Sequence, residues 1–261
     1  MQDPQTIYQR FNKDLINLKF GQKPNKLYDP IYYSLAVGGK RIRPILCLMA
    51  CELFGGNYKD ALNASFGIEI FHNFTLLHDD MMDKAKVRRG KQVVHLKWNE
   101  NIALLSVDAM SVISYKQICK TKKNLEQVLE IFSDTALQIC EGQQYDMYFE
   151  TINDVSEDQY LLMIKLKTAV LLAASLKIGA IIADASPTDQ KYIYEFGENL
   201  GMAFQLQDDI LDTFGNPEVF GKNIGGDIVA NKKTYLLIKA IEKANKSQKK
   251  ELTYWLSLTN F

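Results

Sequence analysis

Residues 76–83 read LLHDDMMD and residues 206–212 read LQDDILD, so the pattern DDxxD occurs twice in the chain. Successive residues of an α-helix are rotated by roughly 100°, so positions i and i+4 lie about 40° apart on one face. The first and last aspartates of each motif therefore project from the same face of a helix. Leucine and methionine flank the first motif, and leucine and isoleucine flank the second, which is not typical of a solvated surface segment. Carboxylates clustered in apolar helices repel one another unless a cation neutralises them.

The two motifs favour a magnesium site that is completed by a phosphorylated ligand. Mg²⁺ prefers hard oxygen ligands and is commonly held by one or two carboxylates together with substrate phosphates, with Mn²⁺ as a substitute ion. A single DDxxD would be interpreted as a charged helix end, but two of them in apolar helices favour the metal site. An EF-hand is excluded because both segments lack its loop spacing and central glycine. The candidate metal ligands are Asp79, Asp80, Asp83, Asp208, Asp209 and Asp212.

Apolar residues recur at helical spacing along almost the whole chain and predict an all-α fold. Leu125, Val128, Leu129 and Phe132 are one example of this spacing. Strand-like alternation is scarce, and the breaks between helices fall at Gly-Gly and proline signals. No linker, low-complexity segment or solenoid repeat divides the chain, so one domain over residues 1–261 is predicted. The predicted helices span residues 4–20, 27–36, 41–54, 58–83, 99–120, 123–149, 156–182, 188–213, 232–244 and 247–258.

The composition is that of a globular protein with no bias towards a charged partner. The chain has 261 residues, of which 47% are hydrophobic, and its 31 Lys+Arg and 31 Asp+Glu give a formal net charge of zero. These values exclude a disordered or fibrous chain. They favour neither nucleic acid nor an anionic membrane surface as a partner, so any polyanion has to bind at a local site.

Targeting signals and cysteine sites are not predicted. The N-terminal residues resemble no signal peptide, and the longest apolar run, Ala169–Leu176, is too short to span a bilayer. We therefore expect a cytoplasmic protein without a membrane span. The four cysteines lie in apolar helical surroundings and form no CxxC pair, which argues against zinc and disulfides. Cys47 and Cys51 are predicted to pack in the core.

Positive charges accompany both acidic motifs. GGKRIRP at residues 38–44 carries three of them at the predicted start of a helix, where free N–H groups and the helix dipole also favour an anion. VRRG at residues 87–90 follows the first motif directly, and arginine suits bidentate contacts with phosphate. Lysines near the second motif are Lys167, Lys222, Lys232 and Lys233. Because the overall charge is balanced, this local segregation predicts a binding site for phosphates.

Five segments in this order resemble the trans-isoprenyl diphosphate synthases, also called polyprenyl synthetases. They are GGKRIRP, FHNFTLLHDDMMDKAKVRRG, IKLKTA, FQLQDDILD and FGKNIGGDIVANKKT, at residues 38–44, 71–90, 164–169, 204–212 and 220–234. The resemblance covers about residues 28 to 236. It implies an isoprenoid synthase-like fold of long, mostly antiparallel helices around a deep central cavity, usually in a homodimer, with the two aspartate motifs facing each other across the cavity mouth.

The resemblance also implies roles for individual residues. Contacts to isopentenyl diphosphate correspond to Lys40, Arg43, His72 and Arg89. Contacts to the allylic diphosphate correspond to Arg88, Lys167 and Lys232, with Lys222 beside them. The metal ligands of the first motif correspond to Asp79 and Asp83, and the main ligand of the second to Asp208. Thr168 and Gln205 correspond to polar groups that line the path of the carbocation.

The implied reaction is a short-chain trans-prenyl transfer. An allylic diphosphate ionises as metal and cations stabilise the departing pyrophosphate, and the double bond of isopentenyl diphosphate attacks the carbocation. A proton is then lost, and no side-chain nucleophile is needed. Phe74 and Thr75, five and four residues before Asp79, are expected to face the growing chain and to limit its length. The expected product is farnesyl or geranylgeranyl diphosphate.

Two other functions and three departures from the family pattern stay open. A regulatory or inactive subunit of a heteromeric synthase is disfavoured by the intact motifs. A class I terpene cyclase is disfavoured because the second motif is DDILD and because GGKRIRP would lack its diphosphate. Asn223 and Asn231 stand where the family usually has proline and glycine. The chain ends at Phe261, earlier than is usual in the family. We therefore expect either a truncated C-terminal end or a shortened family member.

Overall fold

The computed structural model describes residues 2–152, 154–215 and 225–256. Their contacts form two compact units, Met1–Phe132 with Ala174–Tyr194 and Ser133–Ala173 with Glu195–Phe261. Among the described residues, no helix is both long enough and apolar enough to cross a membrane.

The elements follow one another along the chain as a nearly unbroken series of helices. The first part contains α1 (Pro4–Asn17), α2 (Asn25–Ala36), α3 (Ile42–Leu53), α4 (Tyr58–Met82), β1 (Val87–Arg88), β2 (Lys91–Gln92), α5 (Val94–Lys97) and α6 (Glu100–Ile118). The second part contains α7 (Leu125–Thr151), α8 (Glu157–Ile164), a π-helical turn (Lys165–Ala169), α9 (Val170–Ile182), α10 (Pro187–Phe214), α11 (Gly226–Val229), α12 (Tyr235–Lys243) and α13 (Lys246–Leu256).

The predicted all-α class and the ten predicted helices are confirmed within a few residues at their ends, except that residues 257–258 of the last predicted helix lie outside the described residues. The predicted helix 156–182 is helical throughout, but it contains the π turn Lys165–Ala169, which periodicity does not reveal. Three short elements were not predicted: the antiparallel pair β1–β2, α5 and α11. Each has only two to four residues, too few for a period to be read.

Polar side chains fix where several helices begin. The Asp3 carboxylate accepts from Thr6 N at the start of α1, and Asn99 accepts from Ile102 N at the start of α6. These oxygens satisfy N–H groups that have no partner within the helix. Asn57 opens α4 with a capping box.

Helix α4 is the centre of the first unit. It is buried on nearly all sides, and a Cβ at Gly67 would lie 2.9 Å from Ser114 O of α6, so only glycine allows the two helices to approach this closely. Their apolar faces join α2 and α5 in one core cluster. Its buried members are Ile31, Leu35, Ile70, Leu77, Val94, Ala103, Val107 and Met110. This packing holds the C-terminal turn of α4, which carries the first aspartate motif.

A second core cluster lies in the second unit. Its buried members are Phe149, Val155, Tyr160, Met163 and Ile164. Met202 and Leu206 of α10 and Tyr235 and Ile238 of α12 pack against it. The cluster therefore supports the helix that carries the second aspartate motif.

The four cysteines are free. Cys47 and Cys51 are buried, which confirms their predicted place in the core, whereas Cys119 and Cys140 are exposed. Cys119 directly follows the last residue of α6, and Cys140 lies on α7.

Candidate active site

The first aspartate motif lies at the C-terminal end of α4. Asp83 is the residue at which the helix ends, and its N–H donates to Asp79 O at 2.8 Å, so one helical turn joins the two aspartates. Asp79 is half-buried and Asp83 exposed. Both carboxylates lie at the negative end of the helix dipole, which adds to their mutual repulsion and favours a bound cation.

Asp80 of the same motif faces a protein cation. Arg88 Nε of β1 donates to Asp80 Oδ1 at 2.8 Å. The Asp80 side chain is 6% exposed and that of Arg88 35%. Burial raises the pKa of Asp80, and the charge of Arg88 opposes that shift. The middle aspartate therefore orients an arginine, while its two neighbours lie on another face of α4.

The turn between β1 and β2 brings two sequence motifs together. Arg89 and Gly90 form this turn with φ values of 52° and 72°, the left-handed conformation that two-residue hairpin turns favour. The guanidinium of Arg89 donates to Gly38 O. A Cβ at Gly39 would lie 2.4 Å from Arg89 Nη1, so glycine makes room for the arginine. The GGKRIRP segment and the VRRG segment therefore meet at one place in the first unit.

Arg43 and His72 form the next pair of this site. Arg43 Nη1 lies 3.3 Å from His72 Nε2. Arginine has only donors, so Nε2 accepts and the proton of the neutral imidazole lies on Nδ1. Burial, followed by the charges of Arg43 and Arg89, holds the pKa of His72 well below its ordinary value. Burial also lowers the pKa of Arg43 to about 10, while Glu69 opposes the shift, so Arg43 stays charged at neutral pH.

Arg41 has a different role from the one that its sequence position indicated. Its side chain is 3% exposed, and Nη1 bonds Glu69 Oε1 at 2.5 Å while Nη2 donates to Leu35 O. Its charge is therefore neutralised inside the unit, and GGKRIRP offers two cations to a ligand rather than three. Lys40 is exposed. The correction arises because Glu69, which pairs with Arg41, lies 28 residues away in sequence.

The three aspartates of the second motif, on α10, have distinct surroundings. Asp208 is half-buried and makes no hydrogen bond to the described residues. Asp209 is buried and accepts from Tyr160 Oη at 2.5 Å, Gln205 Nε2 at 3.2 Å and Tyr235 N at 3.3 Å. Burial raises its pKa, and these donors oppose the shift.

Asp212 is also buried, and its carboxylate accepts from Asp227 N at 3.1 Å. It therefore anchors the first turn of α11. Burial, followed by the charge of Asp212, raises the pKa of Asp227 to about 6.

Cations also lie within the second unit. Lys167 Nζ donates to Asp146 Oδ2 at 2.6 Å, and Lys232 Nζ lies 3.4 Å from the same oxygen. Thr168 Oγ1 donates to Gln205 Oε1 at 3.2 Å. These contacts bring together four of the predicted residues from three segments of the chain, while Lys222 lies outside the described residues.

The two residues predicted to limit product length lie one to two turns before Asp79 on α4. Phe74 is half-buried, with ring centroids 5.1 Å from Phe71 and 4.6 Å from His78. Thr75 Oγ1 donates to His72 O at 2.8 Å. Phe74 also packs against the core cluster of the first unit. Their effect on product length stays a prediction.

The donor set fits a metal that a diphosphate helps to hold. Within residues 2–152, 154–215 and 225–256, no group of three His, Cys, Asp or Glu side chains is arranged to bind a metal by itself. A site made of one or two carboxylates and substrate phosphates needs no such group.

The comparisons with known proteins agree with the geometry. Residues 24–260 match the family described as polyprenyl synthetase. The chain is 40% identical over 227 residues to a geranylgeranyl diphosphate synthase of Methanosarcina mazei, covering 86% of this chain and 70% of that protein. The chain belongs to the polyprenyl synthetase family.

Further similarities give the same result. The chain is 37% identical over 231 residues to a short chain isoprenyl diphosphate synthase of Methanothermobacter thermautotrophicus, covering 88% of this chain and 71% of that protein. A crystal structure of a geranylgeranyl pyrophosphate synthase has a TM-score of 0.93 and 49% identity, covering 99% of this chain and 79% of the other. As a member of this family, the protein is a prenyl diphosphate synthase and a transferase.

Sequence reasoning missed several residues that hold the polyprenyl synthetase site. They are Glu69, Asp146, Tyr160 and Asp227. Glu69 lies two residues before FHNFTLL, and Asp227 follows Gly225-Gly226, so their neighbours in sequence offered a weak signal. Asp146 and Tyr160 lie in helices with no motif, and only the fold brings them to the lysines and to Asp209.

Proposed function

We propose that the protein condenses isopentenyl diphosphate with an allylic diphosphate in a Mg²⁺-dependent reaction that yields geranylgeranyl or farnesyl diphosphate and pyrophosphate. The names of its relatives support this chain length, because one is a geranylgeranyl diphosphate synthase and another a short chain isoprenyl diphosphate synthase. The observation that carries the proposal is that each aspartate motif lies in the same compact unit as its own group of cations.

In this proposal, isopentenyl diphosphate binds in the first unit. Arg43 and Arg89 supply guanidinium donors for its phosphates, and Lys40 adds an exposed ammonium group. His72 stays neutral and accepts from Arg43, so it orients the guanidinium and adds no charge of its own. Cations alone suffice for this substrate, because its C–O bond does not break.

The allylic diphosphate binds Lys167 and Lys232 in the second unit, with Lys222 as a further predicted contact. Arg88 is the predicted contact that belongs to the first aspartate motif. These cations stabilise the negative charge that develops on the leaving pyrophosphate. The hydroxyl of Thr168 and the amide of Gln205 place oxygen dipoles beside Lys167, where they stabilise the allylic carbocation.

Asp79, Asp83 and Asp208 are proposed to hold the magnesium ions. When bound, magnesium neutralises the diphosphate and acts as a Lewis acid on the leaving group. Asp80, Asp209 and Asp212, the other predicted ligands, have protein partners and position the groups around them. The carbon skeleton reacts through its own double bond, and the released pyrophosphate takes the proton that is lost. Apolar surroundings keep water from the carbocation.

We also propose that the protein is a cytoplasmic homodimer. Leu105 and Val112 lie seven residues apart on one face of α6, and both are 60% exposed. We take these exposed apolar side chains as support for an association surface on α6. Light scattering after size-exclusion chromatography tests the dimer, because a monomer at micromolar concentration would contradict it.

A radiolabel assay tests the activity. The purified protein is incubated with ¹⁴C-isopentenyl diphosphate, an allylic diphosphate and Mg²⁺, and the products are separated by chromatography. The proposal expects linear prenyl diphosphates of 15 or 20 carbons. An inactive subunit gives no product by itself, and a terpene cyclase gives a cyclic hydrocarbon in a parallel incubation with the ¹⁴C-labelled allylic diphosphate alone. Either result would contradict the proposed function.

A further inference from the structure

The π turn Lys165–Ala169 is held between two helices by close backbone contact. It carries Lys167 and Thr168, and π turns of this kind are rare and frequently lie at functional sites. A Cβ at Gly142 of α7 would lie 2.4 Å from Lys167 N, and a Cβ at Gly201 of α10 would lie 2.4 Å from Ala169 Cα. Both helices therefore touch the turn only because these two positions are glycine.

One helical turn after each glycine, a polar side chain binds the same π turn. Asp146 follows Gly142 by four residues and accepts from Lys167 Nζ at 2.6 Å. Gln205 follows Gly201 by four residues and accepts from Thr168 Oγ1 at 3.2 Å. Since positions i and i+4 share a helix face, close approach at the glycine brings the polar side chain within reach. The sequence assigns Gln205 to the reaction but gives Asp146 no role.

Asp146 joins two lysines that are far apart in sequence. Its Oδ2 lies 2.6 Å from Lys167 Nζ and 3.4 Å from Lys232 Nζ. The side chains of Asp146, Lys167 and Lys232 are 11%, 22% and 21% exposed, respectively, so solvent screens their charges only in part. Burial by itself would raise the pKa of Asp146, but the two ammonium groups lower it below its ordinary value, so the carboxylate is charged at neutral pH.

The charges of this arrangement favour the binding of an anion. Two ammonium groups that share one oxygen would repel each other without the carboxylate. With it, the three groups carry a net charge of +1 and stay together. Asp146 offsets only one of the two positive charges, and no reorganisation of the lysines is needed when the anion arrives.

We propose that Asp146 is a positioning residue of the transfer reaction: its carboxylate holds Lys167 and Lys232 together as a preorganised pair for the diphosphate of the allylic substrate. The inference rests on the proposed function, because it takes both lysines as ligands of that diphosphate. Removing the carboxylate charge has two opposite effects. The net charge of the group rises from +1 to +2, which favours an anion, while the repelling lysines lose the placement that departure of the leaving group requires.

Asp146→Asn tests the inference, because it keeps the size of the side chain and removes its charge. We expect kcat to fall by about 10- to 100-fold, as for other small misplacements of groups at the reacting centre. The Kd for inorganic pyrophosphate, measured by titration calorimetry with MgCl2 present, should stay unchanged or decrease. Glu141→Gln is the matched control, since Glu141 is an exposed carboxylate on the same helix, and its kcat and Kd should equal those of the wild type.

Asp146→Glu is the second variant, because it keeps the charge and adds one methylene group. It should lower kcat by a smaller factor and leave the pyrophosphate Kd unchanged. If Asp146→Asn does not fold, as judged by circular dichroism, Asp146→Glu tests the inference. A lower kcat with an unchanged pyrophosphate Kd supports it.

Three results would overturn the inference. The first is wild-type kcat in a folded variant. The second is a loss of kcat that is matched by a proportional weakening of pyrophosphate binding, because Asp146 would then maintain the binding site as a whole. The third is a wild-type protein that forms no prenyl diphosphate, which contradicts the proposed function as well. An active wild type with an equally active Asp146→Asn variant contradicts the inference alone.

Discussion

Arg88 Nε and Asp80 Oδ1 lie 2.8 Å apart, and this ion pair joins the first aspartate motif to the arginines that follow it. The Asp80 side chain is 6% exposed, so the carboxylate depends on Arg88 for its neutralisation. The two residues therefore act as a unit, in which the carboxylate sets the direction of the guanidinium. We therefore propose for Asp80 a role different from that of Asp79 and Asp83, the proposed metal ligands.

A double-mutant cycle on Asp80 and Arg88 should show coupling. Asp80→Asn and Arg88→Ala are each expected to raise the KM for the allylic diphosphate by about tenfold, because both misplace or remove the same guanidinium. In the double variant the effects should not add, with a coupling energy between about 0.5 and 3 kcal/mol. Steady-state kinetics of the four proteins gives this value.

In the control cycle, Lys91→Ala is used instead of Arg88→Ala. Lys91 lies opposite Arg88 in the β1–β2 pair. Asp80→Asn and Lys91→Ala should combine additively. Additive effects in the Asp80–Arg88 cycle would contradict the orienting role of the carboxylate.

Activity should depend on a divalent metal. Asp79→Ala and Asp208→Ala should each lower kcat by at least about a hundredfold, because each removes a proposed metal ligand and the leaving pyrophosphate then lacks its neutralising ion. Excess EDTA should abolish turnover of the wild type, and Mg²⁺ should restore it. Asp134→Ala, at an exposed position of α7, is the control and should keep full activity. Full turnover in excess EDTA would refute the metal site.

The two diphosphates should respond differently to the loss of Arg43. Arg43→Ala is expected to raise the KM for isopentenyl diphosphate by about tenfold or more and to change the KM for the allylic substrate little, since the allylic contacts are proposed at other cations. Arg10→Ala serves as a control, because Arg10 lies over the ring of Tyr58 and belongs to neither group of contacts. Equal increases in both KM values would show that the assignment of two separate phosphate sites is wrong.

The stability of the protein should decrease below pH 6.5 because of His72. Burial and the charges of Arg43 and Arg89 hold the pKa of this residue well below 6.5 in the folded chain. In the unfolded chain the imidazole takes up a proton near pH 6.5. The unfolded state therefore binds more protons as the pH falls, and the free energy of unfolding decreases.

His72→Gln removes this titration and keeps an acceptor for Arg43. Between about pH 7.5 and pH 5, the wild type should lose up to about 2 kcal/mol of stability relative to the variant. Urea denaturation at a series of pH values measures the difference in unfolding free energy between the two proteins. The contributions of the carboxylates that both proteins share cancel in this difference. Parallel stability curves would mean that His72 is protonated equally in both states.

The helices could be predicted from the sequence because their signals are local. The apolar spacing of Leu125, Val128 and Phe132 predicts α7 wherever that helix packs, and the DDxxD spacing places two aspartates on one face. The π turn could not be predicted, since periodicity does not distinguish it from an α-helix and the glycines that pack against it lie in two other helices.

The charge pairs of the site could not be predicted from the sequence, for a related reason. Arg41 appeared to be one of three cations for a ligand, but Glu69, 28 residues later, neutralises it inside the first unit. Asp146 belongs to none of the sequence motifs. Its proposed role depends on contacts with Lys167 and Lys232, which lie 21 and 86 residues away. Residue types and spacing indicated a diphosphate site, whereas only the fold determines which charges remain for the substrate.

Product length should depend on Phe74. The side chain lies about one and a half turns before Asp79 on α4, so a chain that grows away from a diphosphate near Asp79 has to pass it. Its ring stacks near Phe71 and His78, which restricts the directions in which it can move. Phe74→Ala removes the ring and should lengthen the main product by one or more isoprene units.

Thr75→Ala is the smaller change at the other predicted length-limiting position, because it removes the hydroxyl that donates to His72 O and opens much less space. It should alter the product distribution only slightly. Products are dephosphorylated and separated by reversed-phase chromatography, and thermal unfolding checks that both variants are folded, since loss of a half-buried aromatic ring costs about 1 to 3 kcal/mol. A five-carbon extension is proposed to need the space that the ring occupies. If folded Phe74→Ala keeps the wild-type product distribution, another side chain limits product length.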